Sequence, residues 1–212
     1  MTVTRLELRT RAVGPWPVNT FALVCPATGH SVLIDPGAEP EVLRELLAGT
    51  APQAILLTHT HGDHVGALAQ MRAELAVPVL AHRGPHAGGA VLNIDRALDT
   101  GSTVTVGAHA LAVYATPGHT NDMLSFVISG DQRAIVGDTI FEGGPGRTWS
   151  PEGFQATLRT LRDVVLAWPD DMVCYPGHGA PFRLGDRRAA IEVFLARDHG
   201  TFYGDASWEM GA

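Results

Sequence analysis

The chain has 212 residues, a formal net charge of −7 and an isoelectric point near 5.7. Hydrophobic residues make up 45% and charged residues 17%, the composition of an ordinary globular protein, and the length favours one domain over 1–212. The acidic balance argues against nucleic acid as a partner, and because all fifteen basic residues are arginine, Schiff-base lysine chemistry and a P-loop are excluded.

Period-2 or continuous apolar runs predict strands at 3–9, 20–25 and 31–35, followed by a helix over 39–48 where apolar residues recur at i, i+3, i+4 and i+7. A strand at 54–57, a helix over 64–75 and a strand at 78–81 come next. The Gly/Pro-rich stretch "HRGPHAGGA" (82–90) reads as a loop. Strands at 109–115, 124–128 and 133–137 lead to a second irregular loop, "EGGPGRTWSPEG" (142–153). A helix over 153–168, a strand at 172–175 and a helix over 185–197 complete the order, which suits sheets covered by helices. The tail "HGTFYGDASWEM" (199–210) reads as a strip docked on the core, with a homodimer contact or a lid over the site as its sharper uses. Cys25 and Cys174 lie far apart with no Cys-x-x-Cys pair, so neither a disulfide framework nor a thiolate zinc site is expected. The N-terminus lacks an apolar signal region and no stretch approaches eighteen apolar residues, so a cytoplasmic protein without a membrane partner is expected.

The chemistry concentrates at strand ends. "LLTHTHGDHVG" (56–66) crowds His59, His61, Asp63 and His64 into the loop behind a strand, and a chance His-x-His-x-Asp-His in this length has odds on the order of one in a thousand. Imidazole nitrogens and carboxylate oxygens are ligands for zinc and other borderline divalent ions, and one ion needs only about three of them plus water. Three further strand-to-turn segments carry a ligand type beside glycine: "TPGHT" with His119, "IVGDTIF" with Asp138 and "CYPGHG" with His178. Two three-ligand sets joined by a carboxylate would hold two cations about 3.5–4 Å apart, as in two-metal hydrolytic sites.

Carried by "THTHGDH", "TPGHT", "GDTIF" and "PGHG" in order, the sequence resembles the metallo-β-lactamase-fold superfamily over roughly residues 18 to 185. The resemblance implies an α+β fold, a four-layer αβ/βα sandwich with a dinuclear metal site at one edge. It assigns His59, His61 and His119 to the first metal and Asp63, His64 and His178 to the second, with Asp138 bridging. Asp63 and Asp138 become the carboxylates of catalysis, and the ions are two divalent cations, zinc first, with iron or manganese accepted by the same ligands. "PVNTFALVCPATGHSVLIDPGA", "GDTIFEGGPGRT" and "PDDMVCYPGHG" are similar to the glyoxalase II-like (hydroxyacylglutathione hydrolase-like) branch. That branch implies a small-molecule thioester substrate such as S-lactoylglutathione, cleaved by a hydroxide shared between the metals. Arg147 and Trp149 fall where the branch has a basic and an aromatic residue for the glutathione end. The helical C-terminal domain of longer members is missing, and Ala180 stands where they carry tyrosine, so the match is to the short members. The competing reading is a mononuclear-iron persulfide dioxygenase of the same fold, using His59, His119 and Asp138. A true β-lactamase is disfavoured by the aspartate in the "GDT" position.

Asp35, in "LIDPGA", is expected to order its turn or a ligand histidine, and Thr58 and Thr120 to serve turn chemistry beside the ligands. His30 and His109 are expected at the surface. His82 and His86 read as a solvated loop, with a substrate-wall role as the alternative.

Overall fold

The computed structural model describes residues 4–89 and 91–210. Twelve strands are found among them. The first sheet contains β1 (Glu7–Val13), β2 (Val18–Val24), β3 (His30–Ile34), β4 (Ala51–Leu56), β5 (Val79–His82) and β6 (Arg96–Leu98), in that order. The second contains β7 (Thr103–Val106), β8 (His109–Ala115), β9 (Leu124–Ile128), β10 (Arg133–Gly137), β11 (Val173–Pro176) and β12 (Phe182–Arg183), also laid side by side in sequence order. Both are mixed: β1, β2 and β3 pair antiparallel and β3 to β6 parallel, while in the second sheet only β10 and β11 run parallel.

Side-chain alternation builds the layers. Along β2 and β3, Phe21, Leu23, Val32 and Ile34 enter the core between the sheets with Leu111, Val113, Phe126 and Ile135. Their neighbours Ala22 and Leu33 face outward, under Leu43 of α1 (Pro40–Leu46) and Met71 of α3 (Leu68–Leu75). Ala134 and Val136 of β10 likewise face Phe154, Leu158 and Leu161 of α4 (Pro151–Asp163) and Ile191 and Phe194 of α5 (Gly185–Leu195). The result is the expected αβ/βα sandwich. No helix among the described residues is long and apolar enough to cross a membrane.

Several boundaries differ from the sequence reading. β1 is shifted from 3–9 to Glu7–Val13, because this exposed edge strand takes its register from the hairpin with β2 and its arginines interrupt the apolar alternation; residues 1–3 lie outside the described ones. The predicted helix 64–75 is broken into α2 (Gly62–Val65) and α3. A Cβ on Gly66 would lie 2.4 Å from the Gly37 carbonyl, and Ala67 N–H donates to Pro36 O instead of continuing the helix. Helix 153–168 starts earlier, where Ser150 accepts from Gly153 N and Pro151 opens the first turn. It stops at Asp163, followed by a 3₁₀ turn, Val165–Ala167. β6, β7 and β12, only two to four residues each, escaped a reading that depends on periodicity.

Both sheets present strand ends to one edge. Asn19 ties them there, its amide donating to Pro176 O and Gly179 O and its backbone N–H to Gly177 O, while Leu124 N–H donates to Thr58 O from the opposite side.

Candidate metal centre

All seven expected donors reach that edge. His59 and His61 follow β4, Asp63 and His64 lie in α2, His119 sits in the β8–β9 loop, Asp138 directly follows β10, and His178 follows β11. They form two groups with ligand atoms within 4.8 Å of one another, His59/His61/His119 and Asp63/His64/His178. Asp138 stands between the groups. Its Oδ2 is 3.5 Å from His119 Nε2 and 3.7 Å from His178 Nε2, and its Oδ1 is 3.5 Å from His64 Nε2.

Outer partners decide which face each imidazole turns to the centre. His119 Nδ1 donates to Arg147 O (2.7 Å) and His178 Nδ1 to Pro17 O (2.9 Å), carbonyls that can only accept. His64 Nδ1 donates to Asp35 Oδ2 (2.9 Å). Thr58 gives its hydroxyl proton to the same carboxylate oxygen (2.6 Å), so its Oγ1 accepts from His59 Nδ1 (3.1 Å). Four histidines therefore direct Nε2 inward. His61 contributes Nδ1, 3.1 Å from His59 Nε2 and 2.8 Å from His119 Nε2, and its one proton can serve only one of those lone pairs at full strength. Nitrogens around a tetrahedral zinc ion stand about 3.3 Å apart, close to this spacing.

The second group makes the same point through orphaned atoms. His64 Nε2 and Asp138 Oδ1 are buried and lack a hydrogen-bond partner, although they face each other at 3.5 Å. An unpaired buried charge is costly, and a cation between them removes the cost. The glycine at 177 lets the backbone come close to both side chains: a Cβ there would lie 2.2 Å from Asp138 Oδ1 and 2.6 Å from His64 Cε1. The donor set thus fits two metal ions.

Electrostatics agree. Burial holds His59 well below its usual pKa, and it lowers His61 and His119 as well, so these three stay neutral as ligands must be. Burial also opposes charge on His64, but the Asp138 carboxylate facing it at 3.5 Å and the hydrogen-bonded Asp35 carboxylate prevail and push it up to about 10. The two carboxylates call for positive charge at that spot, whether from a proton or a metal. The hydrogen bond from His178 draws Asp63 down to about 2 and raises His178 in return. Burial works against ionising Asp138, yet His64 beside it keeps its carboxyl below the usual range.

A cleft of about 560 Å³ opens beside the first group, walled by His61, His119, His86, Trp149 and Arg159, and a second space of about 450 Å³ lies over Asp63 and Asp138 between Trp16 and Trp149. Trp149 is on both, with its ring 6.2 Å from that of His61. Arg147 stacks 4.9 Å from the centre of the Trp149 ring, but its guanidinium is already paired with Asp205 at 2.7 Å. His86 lines the cleft rather than a solvated loop, and its Nε2 donates to His82 O. His30 and His109 begin β3 and β8, away from the centre. Asp35 is the hub expected of it, accepting from Thr58 N, Thr58 Oγ1 and His64 Nδ1.

One partner went unread in the sequence. Asp122 is buried and accepts from Thr60 Oγ1 (2.5 Å), the residue between His59 and His61, and Thr60 in turn accepts from Ala87 N. The only signal was a carboxylate three residues after His119, with nothing to place it near residue 60.

This geometry has relatives. The family description "Metallo-beta-lactamase superfamily" matches residues 13–178. The chain belongs to that superfamily. It is 30% identical over 193 residues to the "Probable metallo-hydrolase YqgX" of Bacillus subtilis (strain 168), covering 82% of this chain and 90% of that one. To the "Hydroxyacylglutathione hydrolase" of Rhodopseudomonas palustris (strain BisA53) it is 37% identical over 158 residues, covering 72% of this chain and 59% of the relative. The match therefore spans about three fifths of the latter's length. Among solved structures, TTHA1623 in a di-iron-bound form aligns with TM-score 0.72 and 30% identity, over 85% of this chain and 96% of that one. ETHE1 from Myxococcus xanthus aligns with TM-score 0.77 and 25% identity, over 91% and 86%. The BLEG-1 B3 metallo-beta-lactamase aligns with TM-score 0.76 and 25% identity, over 86% and 97%.

Proposed function

We propose that the protein is a dinuclear metal-dependent hydrolase of small thioesters, with hydroxyacylglutathiones such as S-lactoylglutathione as the first substrates to try. His59, His61 and His119 would hold one ion, Asp63, His64 and His178 the other, with Asp138 shared. Zinc is the first candidate, since nitrogen and oxygen donors of this kind suit it, and iron or manganese suit the same set. When bound, such ions supply Lewis acidity, making water acidic enough to act as a nucleophile near neutrality and stabilising developing negative charge.

The residues do the rest. Asp35, Thr58 and the Arg147 and Pro17 carbonyls fix the imidazoles, and Asp63 and Asp138 remain ionised at neutral pH, ready to receive hydrogen bonds from water at the mouth of the cleft. Trp149 offers an apolar face beside the centre for the body of a substrate.

The observation that carries the dinuclear reading is the complete second group, since a single iron held by His59, His119 and Asp138 would leave Asp63, His64 and His178 without a task. The likeness to ETHE1 and to a B3 metallo-beta-lactamase supplies the comparison reactions. Turnover of S-lactoylglutathione without oxygen supports the thioesterase. Oxygen uptake with glutathione persulfide and no thioester cleavage would replace it with the dioxygenase, and cleavage of a β-lactam alone would replace it with a lactamase.

A further inference from the structure

The C-terminal segment 199–210 is docked on the fold. Trp208 is buried against Phe194 of α5, ring centres 5.5 Å apart, and from there the segment runs back along the loop 142–149. Trp208 donates to that loop twice, Nε1 to Glu142 O (2.9 Å) and N to Gly143 O (3.0 Å). Gly204 and Thr148 exchange two bonds, Thr148 N to Gly204 O (3.0 Å) and Gly204 N to Thr148 Oγ1 (3.1 Å). Asp205 pairs with Arg147 at 2.7 Å. The contact is close: a Cβ on Gly144 would lie 2.2 Å from Ala206 O and 3.0 Å from Ser207 Cα.

The loop so held is not neutral toward the metal centre. Arg147, clamped by its side chain to Asp205 and flanked by Thr148 bonded to Gly204, supplies the carbonyl that fixes the His119 ring through Nδ1. Gly146, next to it, lies so near the Asp138 backbone that a Cβ there would stand 1.9 Å from Asp138 O. A ligand's outer hydrogen bond sets both its tautomer and its aim, and losing one costs metal affinity roughly 10–100-fold.

We propose that the segment 204–208 is a strap that positions His119: it holds the Arg147 carbonyl in place, so metal affinity at the His59/His61/His119 group depends on contacts made by the C-terminal end of the chain. This rests on the reading of that group as a metal site. The strap's hydrogen bonds and ion pair run to the loop 142–149, so its residues are positioning residues.

Two substitutions test it in the full chain. Gly144→Ala drives a methyl group into Ala206 O, whereas Gly143→Ala, with no atom within 4 Å of the added carbon, is the control. Thr148→Val removes the acceptor for Gly204 N–H while keeping the side chain's shape. Each protein, loaded with Zn²⁺, is titrated with a chelator, and metal per chain is followed beside thermal unfolding. One of the two metal equivalents should be lost at roughly 10–100-fold lower chelator in Gly144→Ala or Thr148→Val, with the second equivalent and the Gly143→Ala curve as in wild type. Wild-type curves in both variants overturn the proposal, as does loss of both equivalents only in step with unfolding. A wild-type chain that binds no Zn²⁺ overturns the metal-centre reading itself, and the strap's role with it.

Discussion

Replacing Asp35 by Asn separates the fold from the metal centre with one atom's change. The carboxylate is fully buried and accepts three hydrogen bonds, from Thr58 N at 2.7 Å, Thr58 Oγ1 at 2.6 Å and His64 Nδ1 at 2.9 Å. Asn has one carbonyl oxygen and an NH₂ group. If the oxygen serves Thr58 N–H, the NH₂ meets His64 Nδ1, which must then accept, and the imidazole proton moves to Nε2 and points at Asp138. His64 can no longer direct a lone pair into the second group. Charge-assisted hydrogen bonds are worth about 1.5–3 kcal/mol, and a buried donor left unmatched costs about 1–3 kcal/mol, so a net loss of roughly 2–4 kcal/mol is expected. For a chain of this size that lowers the unfolding temperature by roughly 5–15 °C. Thermal melting of the metal-free proteins and metal content after equilibration with Zn²⁺ give the two readouts. Asp35→Asn should melt lower and bind its second metal roughly 10–100-fold more weakly. A variant that keeps two tightly held metals and melts within about 2 °C of wild type refutes the hub.

Gly177→Ala places a carbon against Asp138 Oδ1 and His64 Cε1, so it should cut kcat/KM by on the order of 100-fold or more; normal turnover would show that this close approach is not needed. Trp149→Ala should raise KM about 5–30-fold with little change in kcat, from roughly 1–2 kcal/mol of lost apolar contact, whereas Arg147→Ala, whose charge is committed to Asp205, should do less; the reverse order would mean that Arg147 swings free to bind substrate. Asp131 accepts from Arg5 and from the buried Arg133, whose guanidinium also reaches Leu6 O, and although its burial favours the neutral acid these partners hold its carboxyl well below the usual range. A depressed carboxyl stabilises the fold above its unfolded pKa near 4, and that contribution fades as pH falls through the folded value. Asp131→Asn should therefore cost about 1–3 kcal/mol at pH 7 and clearly less near pH 2, where the unfolded chain's carboxyl is already protonated; an equal difference at both pH values would refute the ionic origin.

How far the sequence could be read follows from the range of each signal. The strands β2, β3, β8, β9 and β10 and the ligand turns behind β4, β10 and β11 announce themselves within a few residues, as an apolar run followed by glycine and a ligand type. Asp35 was recognisable because its turn is adjacent to β3. By contrast, the Arg147 carbonyl that orients His119 lies 28 residues away, and being backbone it has no residue identity to read. The Thr60–Asp122 bond spans 62 residues and the Arg147–Asp205 pair 58. Arg147 was expected to meet substrate, and the Asp205 carboxylate that it also meets is brought near only by the folded tail. β6, β7 and β12 are too short to show a period, and the break between α2 and α3 depends on the close approach of Gly66 to Gly37, a contact between loops.

In the proposed centre Asp138 lies between two metal ions. Elemental analysis of the purified protein, in wild type and in Asp138→Ala, tests it directly. Two divalent ions per wild-type chain, with at least one lost in Asp138→Ala, is the predicted result. One ion per chain, unchanged by the substitution, would contradict it.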